Sequence, residues 1–271
     1  MPMQAHRGER HAHKKRFGQH FLHDAGIIGR IVRAIGPQPG DRMVEIGPGD
    51  GALSAPLLRE LGKLTVIELD RDLLPRLESL PAEGQSLSII QADVLKVDFR
   101  ALAAGAPLRV VGNLPYNIST PILFHCLDHI DTIRDMHFML QREVVERMAA
   151  APGSKTYGRL SVMLQLACEV EPLIDVPARA FEPPPKVESA VVRLRPRPAA
   201  ERPARHIDLI ARIVRAAFGQ RRKTLANALR EVANVAEIEA AGIDPRTRAE
   251  QVAPQGYVAL AELIAGTRDG R

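Results

Sequence analysis

The feature that most constrains this chain is an alternation. Between residues 43 and 150, short apolar runs and helix-patterned segments take turns. Met43–Ile46, Leu64–Glu68, Leu87–Gln91, Leu108–Val111 and Met136–Leu140 have strand length. A glycine turn and a helix through Leu61 follow the first run, and residues 71–79 follow the second. Ser119 can cap a helix that carries Pro121 in its first turn and ends near Ile130, and another helix spans Arg142 to Ala150. Strand and helix in alternation predict parallel βαβ units, hence an α/β doubly wound sheet. A helix from Gly26 to Ile35 precedes them, broken by Gly36, Pro37, Pro39 and Gly40. After Pro152 the pattern changes to a helix around Leu160–Cys168 and strands near Leu173–Val176 and Val187–Leu194, expected as an antiparallel edge. Pro196, Pro198 and Pro203 mark a linker, and residues 206–266, punctuated by Gly242, Pro245 and Pro254, read as helices alone. Three parts follow: a basic tail over 1–16, a main domain over 17–200 and a small helical domain over 201–271. The last is short for independent stability and is expected to lean on the main domain.

Composition narrows the classes. With 45% hydrophobic and 25% charged residues, the 271-residue chain can build a sizeable core. Trp is absent and aromatics are 4%, so any stacking on bases rests on few side chains. Cys126 and Cys168 are too few for a disulfide framework and sit in apolar stretches, as thiols in a reducing cytosol would. No stretch approaches the roughly 20 apolar residues of a membrane span, and the basic N-terminus lacks the apolar core of a secretory signal. A cytoplasmic, membrane-free protein is expected. His6, His11, His13, His20 and His23 lack the carboxylate spacing of a metal site, and none is expected. The net charge of +5 is unevenly spread. Residues 1–16 carry five Lys/Arg against one acid, 17–190 carry 17 against 22, and 191–271 carry 15 against 9. Basic ends around an acidic centre suit a polyanion, and they suit a solvated tail and linker equally well.

Two motifs carry chemistry. Glu45-Ile46-Gly47-Pro48-Gly49-Asp50-Gly51 joins the first strand to its helix. Glycines there let a ligand approach the backbone. The spacing is G-x-G-x-G, so it is neither the dinucleotide fingerprint nor a P-loop, and an ordinary tight turn is the alternative. Glu68 ends the second strand, where a carboxylate can accept from both hydroxyls of a ribose. Asp93 follows the third strand, in reach of an adenine amino group. Either acid can instead be a helix cap. Together they describe a carboxylate-rich adenosine pocket, which repels pyrophosphate and suits the sulfonium and ammonium of S-adenosyl-L-methionine.

Gly112-Asn113-Leu114-Pro115-Tyr116-Asn117 follows the fourth strand. Asn-Leu-Pro-Tyr fits the [DNS]-[IVLP]-P-[YFW] pattern of amino-methylating enzymes. The exocyclic nitrogen of adenine is a poor nucleophile because its lone pair is delocalised into the ring. Acceptors at the Asn113 side chain and the Leu114 carbonyl would favour a pyramidal nitrogen. Pro115 holds the turn, and Tyr116 would stack on a base that is flipped out or already unpaired.

With these motifs, the chain resembles the ribosomal RNA adenine N6,N6-dimethyltransferase family, most of all its bacterial small-subunit type. The match runs from about Lys14 to Tyr257. It includes Lys15-Arg16-Phe17-Gly18-Gln19-His20-Phe21-Leu22, Glu45–Leu53, Val66–Asp70, Gln91-Ala92-Asp93 and Gly112–Ser119. It continues through Phe181-Glu182-Pro183-Pro184-Pro185-Lys186-Val187-Glu188-Ser189 and Phe218-Gly219-Gln220-Arg221-Arg222-Lys223-Thr224-Leu225. The resemblance implies a Rossmann-like methyltransferase sheet with S-adenosyl-L-methionine as methyl donor. It implies cofactor contacts at Gln19, His20 and Leu22 in the N-terminal segment and at Glu45, Gly47 and Gly49 in the turn. Glu68 would hold the ribose, Asp93 the adenine, and Asn113 would face both cofactor and target amine. Leu114, Pro115 and Tyr116 complete the catalytic segment, and Phe181 would sandwich the adenine opposite Tyr116. Arg221, Arg222 and Lys223 fall in the family's RNA-contacting part; a solvated helix end is the plainer alternative. His20 stands where Asn is also common, and Ser54 where Thr is common. The implied activity is dimethylation of two adjacent adenosines near the 3′ end of 16S rRNA, within an immature small-subunit particle, by a monomer. The class that modifies one adenine of large-subunit rRNA, an assembly factor that hardly needs catalysis, and a DNA adenine methyltransferase are the alternatives. The Phe181–Ser189 and Gln220–Leu225 segments favour the small-subunit type.

Overall fold

The computed structural model describes residues 20–203, 205–220 and 222–269. Nine strands occur there: β1 (Phe21–Leu22), β2 (Arg42–Ile46), β3 (Lys63–Glu68), β4 (Ser86–Gln91), β5 (Leu108–Asn113), β6 (Ile133–Gln141), β7 (Cys168–Val176), β8 (Phe181–Glu182) and β9 (Ser189–Pro196). Helices α1 (Ala25–Ile35), α2 (Ser54–Leu61), α3 (Leu74–Glu78), α4 (Phe99–Ala103), α5 (Ser119–Asp128), α6 (Arg142–Ala149) and α7 (Arg159–Ala167) intervene. After β9 come α8 (Ile207–Gly219), α9 (Leu225–Leu229), α10 (Val235–Ala240) and α11 (Pro254–Asp269).

Seven strands form one sheet in the order β4-β3-β2-β5-β6-β9-β7. The first five are parallel, and β9 pairs antiparallel with both β6 and β7. The doubly wound sheet with an antiparallel edge is therefore as expected. Parallel strands are buried on both faces, and successive residues feed opposite cores. Val110 and Phe138 pack beneath α4–α7. Val111 and Met139 pack beneath α1–α3. Cys126 and Cys168 are buried free thiols. Burial pushes both thiols up, Cys168 to about 12. A third core joins α8–α11 to Tyr157, Val162, Met163 and Leu166 around α7, so the C-terminal helices share apolar surface with the main sheet's own helix. Among the described residues no helix is long and apolar enough to cross a membrane.

The differences from the sequence reading lie at element ends. Ser119 is inside α5 rather than its cap, and its hydroxyl donates to the Tyr116 carbonyl at 3.2 Å. Strand β7 begins at Cys168, earlier than expected. Pro172 and the charged Glu169 and Glu171 hid it, and an edge strand tolerates both because one row of its backbone is unpaired. Strand β9 starts at Ser189, leaving Val187 exposed. The two-residue pair β1–β8, with Leu22 opposite Phe181, is too short to leave a periodic signal.

One buried ion cluster ties the bottom of the sheet to α1. Arg109 of β5 is 4% exposed. Its Nε donates to Asp135, its Nη1 to Asp41 at 2.7 Å, and its Nη2 to the Ile35 carbonyl at 2.6 Å. It thus neutralises two carboxylates and satisfies a carbonyl in the last turn of a helix. Burial pushes the Asp41 carboxyl up, but hydrogen bonds from Arg109 and the Gln38 amide, with the charges of Arg109 and Arg134, bring it net below the ordinary 3.8. A lowered carboxyl stabilises the fold above its unfolded value, and that contribution is lost as pH falls through the folded one. Arg109→Met leaves Asp41 and Asp135 with the exposed Arg134 as their remaining arginine, at 3.0 and 3.8 Å, so urea unfolding at pH 7 should show a loss of about 3 kcal/mol. The deficit should shrink as acid below about pH 4 protonates them; an equal deficit at every pH would contradict this role.

Candidate active site

Strand β2 is flanked by β3 on one side and β5 on the other, so the chain reverses its winding there. Loops at the C-terminal ends of such strands diverge and leave a crevice. A cleft of about 310 Å³ occupies this position. Its walls include His20, Leu22, Glu45, Gly47, Gly49, Glu68, Asp93, Asn113, Leu114, Pro115 and Tyr116. Eleven residues separated by as much as 96 positions in sequence therefore meet in one place. Gln19 and Arg221 lie outside the described residues, as does the 1–16 tail.

Local backbone chemistry shapes the cleft. Gly49 has φ +60°, and a Cβ there would stand 3.1 Å from the Phe21 ring, so only glycine lets β1 lie over the turn. Gly112 carries the same restriction between strands, since a Cβ would stand 2.5 Å from the Ile46 carbonyl oxygen. Phe21 was missed by sequence reasoning because nothing local reports a contact made across the chain.

Four carboxylates, Glu45, Asp50, Glu68 and Asp93, line the cleft, and no Lys or Arg is among its described walls. Glu45 is 1% exposed and accepts a 2.6 Å hydrogen bond from Ser54. A Thr hydroxyl could make the same bond. Burial raises the Glu45 carboxyl to about 7 against the Ser54 bond, and the charges of Glu68 and Asp50 raise it further. Glu68 is raised mainly by burial, although it accepts from the amides of Asp70 at 2.8 Å and Gly49 at 3.4 Å. Asp93 accepts from the Leu95 amide at 3.0 Å as the cap of a short turn, so the structural and the cleft-lining readings both hold for it. Asp50 is paired with Arg76 at 3.6 Å, outside the cleft's walls, while the walls themselves present carboxylates and no Lys or Arg, a lining that fits a cationic adenosine compound better than a pyrophosphate.

The Asn-Leu-Pro-Tyr segment forms the facing wall. Asn113 Nδ2 donates to the His20 carbonyl at 3.1 Å, which turns its Oδ1 the other way. Leu114 is anchored by its amide to the Met139 carbonyl at 3.1 Å. The Tyr116 hydroxyl lies 2.6 Å from Ser189 Oγ, and its ring stacks on His20 with centroids 5.7 Å apart. His20 Nδ1 in turn sits 2.7 Å from the Pro183 carbonyl. Phe181 does not line the cleft. Its side chain is 1% exposed within the core beneath α1 and α2, because its pairing with Leu22 turns it inward. A stacking role would need an exposure that this arrangement does not give. Arg222 and Lys223 are exposed between α8 and α9, as are Arg212 and Arg215 on α8. Among the described residues none of these four side chains is ion-paired with a carboxylate.

Fold and cleft together define a Rossmann-like methyltransferase. A profile of the ribosomal RNA adenine dimethylase family matches residues 10–266. The chain is 60% identical over 250 residues to the Ribosomal RNA small subunit methyltransferase A of Xanthomonas campestris pv. campestris (strain B100), covering 92% of this chain and 95% of that one. It is 59% identical, with the same coverage, to the protein of that name from Xanthomonas oryzae pv. oryzae (strain PXO99A). Among solved structures it is similar to a dimethyladenosine transferase from Plasmodium falciparum, with TM-score 0.78 and 25% identity over 93% of this chain and 98% of that one. It is also similar to the 23S rRNA methyltransferase ErmE, with TM-score 0.65 and 26% identity over 90% and 99%. The chain belongs to the ribosomal RNA adenine dimethylase family, and it is an rRNA adenine methyltransferase.

Ionising Glu45 without a bound cation works against folding. A carboxyl raised from 4.5 to about 7 costs stability progressively as pH rises between those values. Glu45→Gln should therefore be more stable than the parent at pH 8, on the order of 2–3 kcal/mol, and near parity at pH 5. Thermal unfolding across that range reads it; a constant difference would place the carboxyl's titration elsewhere.

Proposed function

We propose that this enzyme uses S-adenosyl-L-methionine to dimethylate, at N6, two adjacent adenosines near the 3′ end of 16S rRNA during small-subunit assembly. The observation that carries the donor reading is the cleft itself, lined by Glu45, Glu68 and Asp93 with no Lys or Arg in its described walls, and closed on one side by Asn-Leu-Pro-Tyr. The small-subunit names of relatives at 60% and 59% identity support the choice of 16S over 23S rRNA. Assembly on an immature particle, action as a monomer and a cytoplasmic location complete the reading.

When bound, the donor supplies an electrophilic methyl on a sulfonium, and the chain's own residues do the rest. Glu68, at the end of β3, would accept from the ribose hydroxyls, and Asp93 from the adenine amino group. Glu45, the Gly47–Gly49 backbone, His20 and Leu22 would hold the methionine part. Asn113 Oδ1 and the Leu114 carbonyl accept from the two N–H bonds of the target amine, leaving its lone pair toward the methyl. Tyr116 offers its ring face to the everted base. Acceptors held in place beforehand lower the barrier by electrostatics and positioning, with no strong base required. Forming the new N–CH3 bond would break the S–CH3 bond and leave a neutral thioether, and the proton that the now acidic nitrogen sheds would pass to water. Exposed Arg212, Arg215, Arg222 and Lys223, with Arg221, hold RNA phosphates.

Mass spectrometry of products from naked 16S rRNA, immature small subunits and 23S rRNA tests this reading. Two neighbouring dimethyladenosines in 16S rRNA are expected, with the particle preferred. Label in 23S rRNA would redirect the assignment. Asn113→Ala should lower transfer at least about 100-fold while particle binding persists; undiminished transfer would remove Asn113 from the chemistry. Affinity for the donor should rise as pH increases through about 7 and Glu45 ionises. Calorimetry on Glu45→Gln should show that pH dependence flattened. Neutralising Arg222 and Lys223 together should weaken RNA binding and reduce its salt slope by roughly 2; an unchanged slope would exclude both from the interface.

A further inference from the structure

Ser189 is the polar residue among the four buried positions that open β9, Ser189-Ala190-Val191-Val192. It is completely buried at the start of β9, where its backbone pairs with Gln141 and Val176. A buried hydroxyl needs a hydrogen-bond partner. Its partner is the Tyr116 hydroxyl, 2.6 Å away and 73 residues earlier in the chain.

We propose that Ser189 is a positioning residue for the target base, acting through Tyr116; the proposal deepens the methyl-transfer reading and rests on it. Pro115 fixes the backbone at one end of the tyrosine, and Ser189 fixes the hydroxyl at the other. A side chain held at both ends loses the torsional freedom about χ1 and χ2 that would let its ring tilt. The phenol is thereby committed to the protein, so Tyr116 meets the base through its face alone and takes no part in proton transfer. The segment before β9 holds the adjacent ring as well, since the Pro183 carbonyl is 2.7 Å from His20 Nδ1. One stretch, residues 183–189, therefore sets both stacked rings at the mouth of the cleft.

The consequence concerns the second transfer. A monomethylated amine is bulkier and retains one N–H, so only one of the two proposed acceptors stays engaged. The orientation that the second acceptor gave must then come from the stacking platform. A loosened platform should hurt the second methylation more than the first.

The test uses full-length protein with small-subunit particles and follows N6-monomethyladenosine and N6,N6-dimethyladenosine by mass spectrometry under single turnover. Ser189→Ala and Tyr116→Phe should each slow the second transfer about tenfold and let the monomethyl product accumulate, with KM for the particle changed less than about twofold. The double variant should be no worse than either single one, because both remove one shared bond. Ser189→Thr, which keeps the hydroxyl, should restore the dimethyl product. Equal slowing of both transfers, or additive losses in the double variant, would overturn the proposal. Tyr116→Phe keeps it falsifiable if Ser189→Ala is poorly folded. Absence of any methyl transfer by the parent protein would instead count against the activity reading beneath it.

Discussion

The pairing of β2 with β3 on one side and β5 on the other is the constraint on which the site depends. Because the chain winds outward to β4 and then returns across the sheet, the loops after β2 and β5 leave in different directions. The glycine turn and the Asn-Leu-Pro-Tyr segment are those two loops. Their separation is set by hydrogen-bonded strands, not by side-chain packing in the cleft. Gly112 keeps the strand ends close, since any larger residue would strike the Ile46 carbonyl. The two loops are thus placed by backbone pairing, and dipoles held in place beforehand are the ones that lower a barrier.

Two kinds of buried charge coexist in the fold, and their difference separates architecture from function. Arg109 has carboxylates on both sides and a helix-end carbonyl besides. Glu45 has only a neutral hydroxyl, with other carboxylates adding repulsion. The first arrangement is satisfied within the protein and favours folding. The second is a standing cost that a cationic ligand would offset, so stability is sacrificed where binding needs it. Placing the unsatisfied charge at the C-terminal edge and the satisfied one at the N-terminal edge keeps the two from neutralising each other.

Much of this was legible in the sequence because the governing signals are local. Apolar runs of strand length place four of the five parallel strands within a residue or two, while β6 begins three residues before its apolar run because Arg134 and Asp135 interrupt the pattern. The glycine turn, Glu68 and Asp93 sit at strand ends, where their position follows from the strands. What stayed hidden depends on contacts between distant segments. The β1–β8 pair has two residues per strand and no periodicity. Phe181 belongs to a long matching segment, yet its inward direction is fixed by pairing with Leu22 and not by its neighbours in sequence. Ser189 carries no local signal, because its partner, the Tyr116 hydroxyl, lies 73 residues away in the chain.

The C-terminal helices bear on the same economy. Their core is continuous with Tyr157, Met163 and Leu166, so they do not rely on their own apolar surface alone. Tyr157 and Tyr257 are fully buried there, their hydroxyls donating to the carbonyls of Val252 and Ala249. The Tyr157 bond crosses from the main domain to the C-terminal helices, so sliding one surface over the other would break that hydrogen bond as well as the packing, while the Tyr257 bond holds the helical part together. The exposed arginines of α8 are carried on that joint. Their spacing from the cleft is consequently a property of the fold, and a polyanion that spans both meets a fixed distance. Under the proposed reading, such a fixed spacing would select a structured RNA by its shape and not by its bases.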